Sequence, residues 1–491
     1  MGVQEAGDAI PSTTDALIDL ARLAAPLCVS QIAWGLINSM CVIAAGAVGV
    51  AQLGGVAMGF SLMNSTGYAF GSGLCGALET LLSHSYGRDP QSRKYGTHTQ
   101  RMILLLLCIS IPLAALLCYI DVLLGAAGMD ASIVFYTTSF VRITVFGLVP
   151  MLLLEVQRRY LTCQCVSTPV SVSILVAAAA LPLFLAAYRA SMFNMMGLAA
   201  IGWAWVSTLC LVNVCLFGYT VATGMYKQSW GGWNRDALRR WGPMLHLGVP
   251  SLLMTVAEWG CMEMMSLVGG FNPPIEYAAF SISVQLVVFA WNSCAGFYTA
   301  VSVLIGNSIG AGRNLAARKY AITSMAMVFC ITLINVATMW CLGRRIPMLF
   351  TSSEDVIVQY ERLLPFVLCW HMVDTFQSNM LGILRGTGML QRGAQIINMA
   401  MNLCGLPLGV VLCFKVGMGA GGLWLGMFLG VFVVGVPQYL WSMAYTDWHA
   451  IKAHGEDPAV LLEEDNHDTL PVAQSIQIQE FPQEQSTRAA S

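Results

Sequence analysis

Twelve stretches of this sequence are long and apolar enough to cross a bilayer: 22–48, 53–80, 100–124, 132–156, 168–189, 198–222, 243–268, 277–304, 319–342, 356–383, 394–414 and 420–445. A spanning helix needs about 20 mostly apolar residues. Backbone in lipid must satisfy its own hydrogen bonds, so such a chain is expected to be an all-α polytopic membrane protein. Charged residues are only 10% of the 491, too few to cover a soluble surface. This excludes an ordinary soluble enzyme and a disordered chain. A net charge of -2 leaves no basic excess for phosphates, so no nucleic-acid partner is expected. The expected surroundings are the lipid bilayer.

Loop charge sets an expected orientation. Of the 24 Lys and Arg, 18 fall in the termini and even-numbered loops, among them Arg88, Arg93, Lys94, Arg158, Arg159, Arg313 and Lys319. The odd loops hold only Arg189, Arg344, Arg345 and Lys415. That asymmetry places both termini in the cytoplasm. Residues 1–20 are polar and carry Asp8, Asp15 and Asp19, which reads as a cytoplasmic segment and not a signal peptide. Residues 447–491 are acidic and poor in large apolar side chains, and read as a disordered cytoplasmic tail. Most of the sixteen cysteines lie inside apolar stretches and read as small packing residues; no metal-ligand spacing surrounds Cys163 and Cys165.

The halves resemble each other at a shift of 223 to 225 residues. Pro26 pairs with Pro250, Ser85-Tyr86-Gly87 with Ser308-Ile309-Gly310, and Arg93-Lys94-Tyr95 with Arg318-Lys319-Tyr320. Leu181-Pro182-Leu183 pairs with Leu406-Pro407-Leu408, and Gly202-Trp203 reappears near Gly422 and Trp424. Five matches in one order at nearly one offset indicate a repeat of six helices. An even repeat keeps its orientation, so two pseudo-symmetric six-helix bundles related by an axis along the membrane normal are expected, at 21–224 and 243–446, joined by a cytoplasmic linker at 225–242. Prolines within spans (Pro26, Pro112, Pro182, Pro250, Pro365 and Pro407) each remove a helical hydrogen bond and permit a bend.

Ionisable groups at bilayer depth are costly, at least ~2.5 kcal/mol at a helix centre, and are functional candidates by default. Five acids inside spans are the candidates: Glu79, Glu155, Glu258, Glu263 and Asp374. Glu155 lies three and four residues before Arg158 and Arg159, spacing that allows helical ion pairs. Glu79 lies near a helix end beside His84, where structural and gating roles both stay open. Glu258 and Glu263 sit mid-span with no Lys or Arg within ten residues. Desolvation penalises the charged form of a carboxyl, which suits such groups to taking up and releasing a proton. Five residues apart on an ideal helix, the two point about 140° from each other, so one is expected to line the cavity and the other to border it. His371, Asp374, Gln377 and Ser378 are spaced by three and four, which makes a polar stripe on one helix face. Imidazole ordinarily titrates near pH 6.5, so His371 is a candidate relay, with a satisfied interior histidine as the plainer role. In the first half, Gln31, Asn38, Asn64 and Thr66 are candidate uncharged liners. Trp34, Trp259 and Trp291 are candidates to hold a cationic or planar solute by its face, or simply to pack.

Four segments resemble the multidrug and toxic compound extrusion (MATE) family, eukaryotic branch. Gly76-Ala77-Leu78-Glu79-Thr80-Leu81 through Tyr86-Gly87 resembles its helix-2 signature, with His84 where Gln is usual. Glu258-Trp259-Gly260-Cys261-Met262-Glu263 resembles its E-W-W-x-x-E stretch, without the second Trp. Val303-Leu304-Ile305-Gly306-Asn307 through Gly310-Ala311-Gly312 resembles its V-R-V-G-N-x-L-G-A-G segment, with Leu304 in place of Arg. Gly382-Ile383-Leu384-Arg385-Gly386-Thr387-Gly388, with Gln391 and Gly393-Ala394, resembles its G-x-L-R-G-x-G-x-Q-x-x-G-A run. The resemblance implies a V of two six-helix bundles that expels organic solutes, driven in eukaryotic members by protons. It favours Glu258 as a coupling acid, places a second acid at Asp374, and aligns Gln285 with a position where animal members often carry a third.

The function expected is thus secondary active transport: proton-coupled antiport of a small organic solute, such as an organic cation, xenobiotic or secondary metabolite, by alternating access. Glu258, Asp374 and Glu263 would couple or bind. His371, Gln377, Gln285, Trp259, Gln31, Trp34, Asn38 and Asn64 are candidate cavity liners. The proton is the expected coupling ion, and no cofactor and no enzymatic activity are expected. The membrane would be the plasma membrane or a vacuolar or vesicular one. Sodium coupling of the same efflux, and a lipid-linked oligosaccharide flippase of the same architecture, stay open as alternatives.

Overall fold

Residues 10–126, 128–129, 131–191 and 197–454 are described by the structure, a computed structural model. Its spans are helical throughout. They are α1 (Thr13–Gly46); α2, made of Val50–Met63, a π-helical turn Asn64–Tyr68 and Ala69–Arg88; α3 (Lys94–Cys118); and α4, made of Ala131–Thr144, a 3-10 turn Val145–Gly147 and Leu148–Thr162. There follow α5 (Thr168–Ser191), α6 (Gly197–Ala222), α7 (Trp241–Gly269), α8 (Pro274–Gly310), α9 (Asn314–Leu342) and α10 (Glu354–Gly386). Leu390–Ile397, π-helical Asn398–Gly405 and Leu406–Phe414 form α11; Ala420–Leu429, π-helical Gly430–Gly435 and Val436–Ala444 form α12. Twelve spans thus lie where the hydropathy places them, six to each half.

Among the described residues, nine of these spans are long and apolar enough to cross a membrane by themselves. The three that fall short are α2, α7 and α10, which hold Glu79, Glu258, Glu263 and Asp374. Spans with the weakest lipid preference are those the fold must surround with protein.

Helix ends depart from the hydropathy for local reasons. The first helix begins at Thr13, inside the segment expected to be a polar extension, because the Ser12 side chain accepts a hydrogen bond from the Asp15 backbone N–H at 3.1 Å and Asp15 sits in the positive first turn. The first residues of the tail expected from 447 pack against the bundle. Trp448 and Ala453 are buried, and Asn314 Nδ2 donates to the carbonyls of His449 and Ile451 at 3.3 and 3.0 Å. The rest of that expected tail, and residues 1–9, lie outside the described residues. Proline falls within α1, α3, α5, α7 and α10, while Pro407 opens the segment after the α11 π-helix.

The two halves meet along α1 and α2 from the first and α7 and α8 from the second, and glycine makes the approach possible. A Cβ on Gly296 of α8 would fall 2.6 Å from the Cys28 nitrogen of α1, and one on Gly73 of α2 would fall 2.9 Å from the Leu252 Cα of α7. At the end of the bundle that holds the start of α1, polar contacts lock this seam. Thr80 Oγ1 donates to the Arg385 carbonyl and His84 Nε2 to the Gly386 carbonyl, both at 2.8 Å. Tyr320 donates to Asp19 at 2.7 Å, and Asn307 Nδ2 to the Cys163 carbonyl at 3.2 Å. This end, the termini-bearing face, is therefore closed.

Gly87 lies at a tight point of that closure; a Cβ there would overlap the Asn307 carbonyl oxygen and lie 2.7 to 2.8 Å from its backbone carbons. Cys163 beneath it is buried. Gly87→Val is expected to force the seam apart, so that a water-soluble maleimide modifies Cys163 in the variant and not in the parent, each retaining Cys163 alone. Equal, slow labelling of both would show that the contact tolerates the added volume.

Candidate functional site

The second bundle collects the acids that lack an ion pair. Glu258, in mid-α7, is half-buried. Its Oε1 accepts from Ser378 Oγ of α10 at 3.4 Å, and Trp291 Nε1 of α8 donates to that same Ser378 oxygen at 3.2 Å. Arg385 is within electrostatic reach of Glu258 but makes no ion pair with it. Asp374, two-thirds of the way along α10, is 5% exposed and is an electrostatic neighbour of Glu258. Tyr298 of α8 is an electrostatic neighbour of both carboxyls, and its buried hydroxyl has no hydrogen-bond partner. Three helices thus bring two acids, a serine and two aromatics to one interior locus.

The α10 stripe is buried along its whole length, but its members face different helices. His371 Nε2 lies 3.5 Å from Asn335 Nδ2 of α9, which also donates to Ser293 Oγ of α8 at 3.0 Å. Its Nδ1 has no partner. Gln377 turns to the Met401 sulfur of α11 at 3.1 Å, inside the bundle. Only Ser378 bonds to Glu258. The π-helical turn of α11 carries Asn402 against α7, where its Nδ2 donates to the Ala257 carbonyl at 3.1 Å, the residue before Glu258. π-Helical turns commonly mark functional positions.

Glu263 diverges from Glu258 as the 140° separation requires. It is exposed, and its Oε1 accepts from Ser61 Oγ of α2 at 3.1 Å, across the seam. Trp259 reaches the same seam; its ring lies 5.3 Å from that of Tyr68. Trp34 and Asn64 are half-buried on the α1 and α2 side. Thr66 bonds its own helix at the Leu62 carbonyl. Asn38 is engaged within the first bundle, accepting from Trp205 Nε1 at 3.2 Å. Gln31 accepts from Arg158 at 3.5 Å. Gln285 is exposed on α8.

The first bundle treats its acids differently. Arg158 and Arg159, placed by the charge count in a loop, lie within α4 and are buried. Glu155 takes both, at 2.7 Å from Arg158 and 2.6 Å from Arg159. Arg159 Nε also stands 3.2 Å from Glu79 of α2, and Tyr68 neighbours Arg158. The expected i,i+3 and i,i+4 pairs therefore form, and they recruit Glu79 into a cluster of two acids and two arginines without net charge. Among the described residues, no group of three or more His, Cys, Asp or Glu could hold a metal ion.

Sequence reasoning missed Tyr298, Asn335, Ser61 and the burial of the arginines. Tyr298 had a signal, since it stands two turns after Trp291 on the same face of α8. The others look like ordinary residues of apolar helices.

Comparisons with known proteins agree with this architecture. The MatE family model matches residues 26–188 and 250–414, two blocks that begin at the paired prolines of the repeat. The chain is 30% identical over 423 residues to multidrug and toxin extrusion protein 1 of Danio rerio, covering 85% of this chain and 70% of that protein. It is 30% identical over 412 residues to the protein of the same name in Pongo abelii, covering 84% and 71%. Among solved structures, the eukaryotic MATE transporter AtDTX14 superposes with a TM-score of 0.83 at 23% identity, covering 89% of this chain and 97% of that one.

The four-charge cluster sets a test of stability. Removing one member of a buried ion pair strands its partner and costs about 3–5 kcal/mol. Glu155→Ala strands two arginines and is expected to lower the unfolding temperature in detergent well below that of the parent, by far more than Glu354→Ala, whose partner Arg344 is exposed. Equal thermal stability of the two variants would show that Glu155 does not hold the arginines.

Proposed function

The chain belongs to the multidrug and toxic compound extrusion family, and from that premise we propose that it is a proton-coupled antiporter expelling a small organic cation from the cytoplasm. The observation that carries this reading is the placement of Glu258 and Asp374 as electrostatic neighbours inside the second bundle, with Arg385 in reach of Glu258 but ion-paired to neither acid. Two neighbouring carboxylates in a water-poor interior repel, and either a proton or a cationic solute relieves that contact. Proton and cargo therefore compete for the same groups, and competition is the coupling. Aromatic faces beside the acids, Trp259 with Tyr68 and Trp291 with Tyr298, suit a cation better than an anion. The lysine and arginine bias puts the closed, termini-bearing face in the cytoplasm, in a plasma, vacuolar or vesicular membrane. In that state the acids take up protons and the cargo leaves outward. The bundles then rock about the α1/α2–α7/α8 seam, protons depart to the cytoplasm, and new cargo binds.

A flippase for an anionic lipid-linked sugar would want a basic cavity. Arg158 and Arg159 are already matched by Glu155 and Glu79, and the one arginine near the site, Arg385, stands against two acids, Glu258 and Asp374, which favours the cation reading.

The test is efflux of a fluorescent quaternary ammonium compound from proteoliposomes under an imposed pH gradient in sodium-free medium. Loss of a charge-assisted interaction worth ~1.5–3 kcal/mol corresponds to about ten- to a hundredfold. Glu258→Gln and Asp374→Asn are each expected to lower gradient-driven efflux by that much, with membrane insertion retained. Undiminished efflux by Glu258→Gln would overturn the assignment, and wild-type efflux that needs sodium would overturn the proton.

A further inference from the structure

A small cavity lies in the second bundle between the last turns of α10 and α12. It measures about 10 Å³ and is lined by Tyr439, Ser442, Thr446 and Thr387, with Met380 and Trp448 among its other walls. No charged residue lines it. Tyr439 and Ser442 are 1% and 4% exposed, and neither hydroxyl has a hydrogen-bond partner. Buried polar groups in folded proteins are nearly all bonded, to protein or to water, so two hydroxyls without a protein partner on one cavity point to a water between them. A volume on the order of 10–15 Å³ is what one water needs, given two or more polar partners. Tyr439 is also an electrostatic neighbour of Glu258. Beyond Ser442, Thr446 Oγ1 donates to the Ser442 carbonyl at 2.6 Å, and the chain leaves the bundle there, at the termini-bearing face.

We propose that this cavity holds a relay water, and that Tyr439, this water and Ser442 form an exit path inside the second bundle, along which the proton of Glu258 reaches the cytoplasm. The inference rests on the proton-coupled reading above and adds to it a route separate from the seam that the cargo uses. Each step conserves atoms and charge. The carboxylic acid of Glu258 yields its hydrogen toward the Tyr439 hydroxyl, with water bridging where the gap requires it. Each oxygen that receives a hydrogen on one side releases its own on the other, and the last passes it to bulk water as hydronium. Glu258 is left as a carboxylate, and no charge stays on Tyr439 or Ser442. Neutral hydroxyls around a one-water space can pass a proton, whereas a hydrated metal ion or an organic solute does not fit.

The experiment compares two fluxes of the full-length protein in the same proteoliposomes: efflux driven by a pH gradient, and substrate counterflow with no gradient, which exchanges cargo for cargo and moves no net proton. Tyr439→Phe and, separately, Ser442→Ala each remove one hydroxyl and little else. Each is expected to slow gradient-driven efflux by about tenfold and to leave counterflow within about twofold of wild type. Heavy water should slow wild-type gradient-driven efflux more than counterflow. Unchanged gradient-driven efflux in both variants overturns the relay, as does an equal loss of both fluxes, which marks a structural role. A wild type whose efflux ignores the gradient while counterflow persists overturns the proton reading instead.

Discussion

A carboxylate removed from water must find a counter-charge, take a proton or bind a cation, and the two bundles of this protein answer that demand in opposite ways. In the first, Glu155 grips Arg158 and Arg159 from one turn of α4, and Arg159 reaches Glu79 on α2. The cluster is neutral, buried and committed. In the second, Glu258 has a serine hydroxyl at 3.4 Å and Asp374 has a like-charged neighbour. Breaking a buried ion pair is expensive, so the acids of the first bundle are fixed, while those of the second have no fixed partner to lose. On the proposed function, a repeated fold thereby becomes functionally asymmetric: one bundle braces, and the other exchanges a proton for cargo.

The seam between the bundles follows from the same demand. Spans that carry acids are poor lipid partners, and α2 and α7 face each other while α10 is packed within the second bundle. Glycine at positions 73, 87 and 296 lets backbones approach so closely that no side chain intervenes. Closure is then made by single hydrogen bonds from side chains to carbonyls, as at Thr80 and His84. Each such bond contributes modestly, about 0.5–1.5 kcal/mol. A seam of many small contacts suits a protein that must open and close it, whereas a large apolar interface would not.

Much of this was legible in the sequence, because hydropathy and charge are themselves the constraints the membrane imposes. The spans, the repeat and the five acids follow from counting. The divergence of Glu258 and Glu263 follows from helix geometry alone. What sequence did not reveal depends on tertiary neighbours. Arg158 and Arg159 stand at a helix end, where basic residues usually meet water, and only the proximity of Glu79 makes burial tolerable. The α10 stripe was visible, yet that His371 faces α9 while Gln377 faces α11 requires knowing which helix lies on each side. The π-helical turns in α2, α11 and α12 leave no compositional mark. Ser12 as a cap and Trp448 as a buried anchor were each in plain view but were outweighed by the polarity around them.

Tyr439 and Ser442 belong to this last class, and their placement completes the asymmetry. An antiporter must keep proton and cargo in competition at the acids, yet it need not send both out by one road. The seam closes with the cycle and admits a solute only when the bundles part. A path of hydroxyls inside a single bundle is too narrow for cargo, and coupling requires that it conduct only once the bundles have rocked and Glu258 is shut off from the outside. The proton then leaves by that path while cargo enters by the seam, and neither has to pass the other. The physical division is then complete: rigid charge in the first bundle, exchangeable charge in the second, and between them a seam that carries only what is too large for hydroxyls to pass.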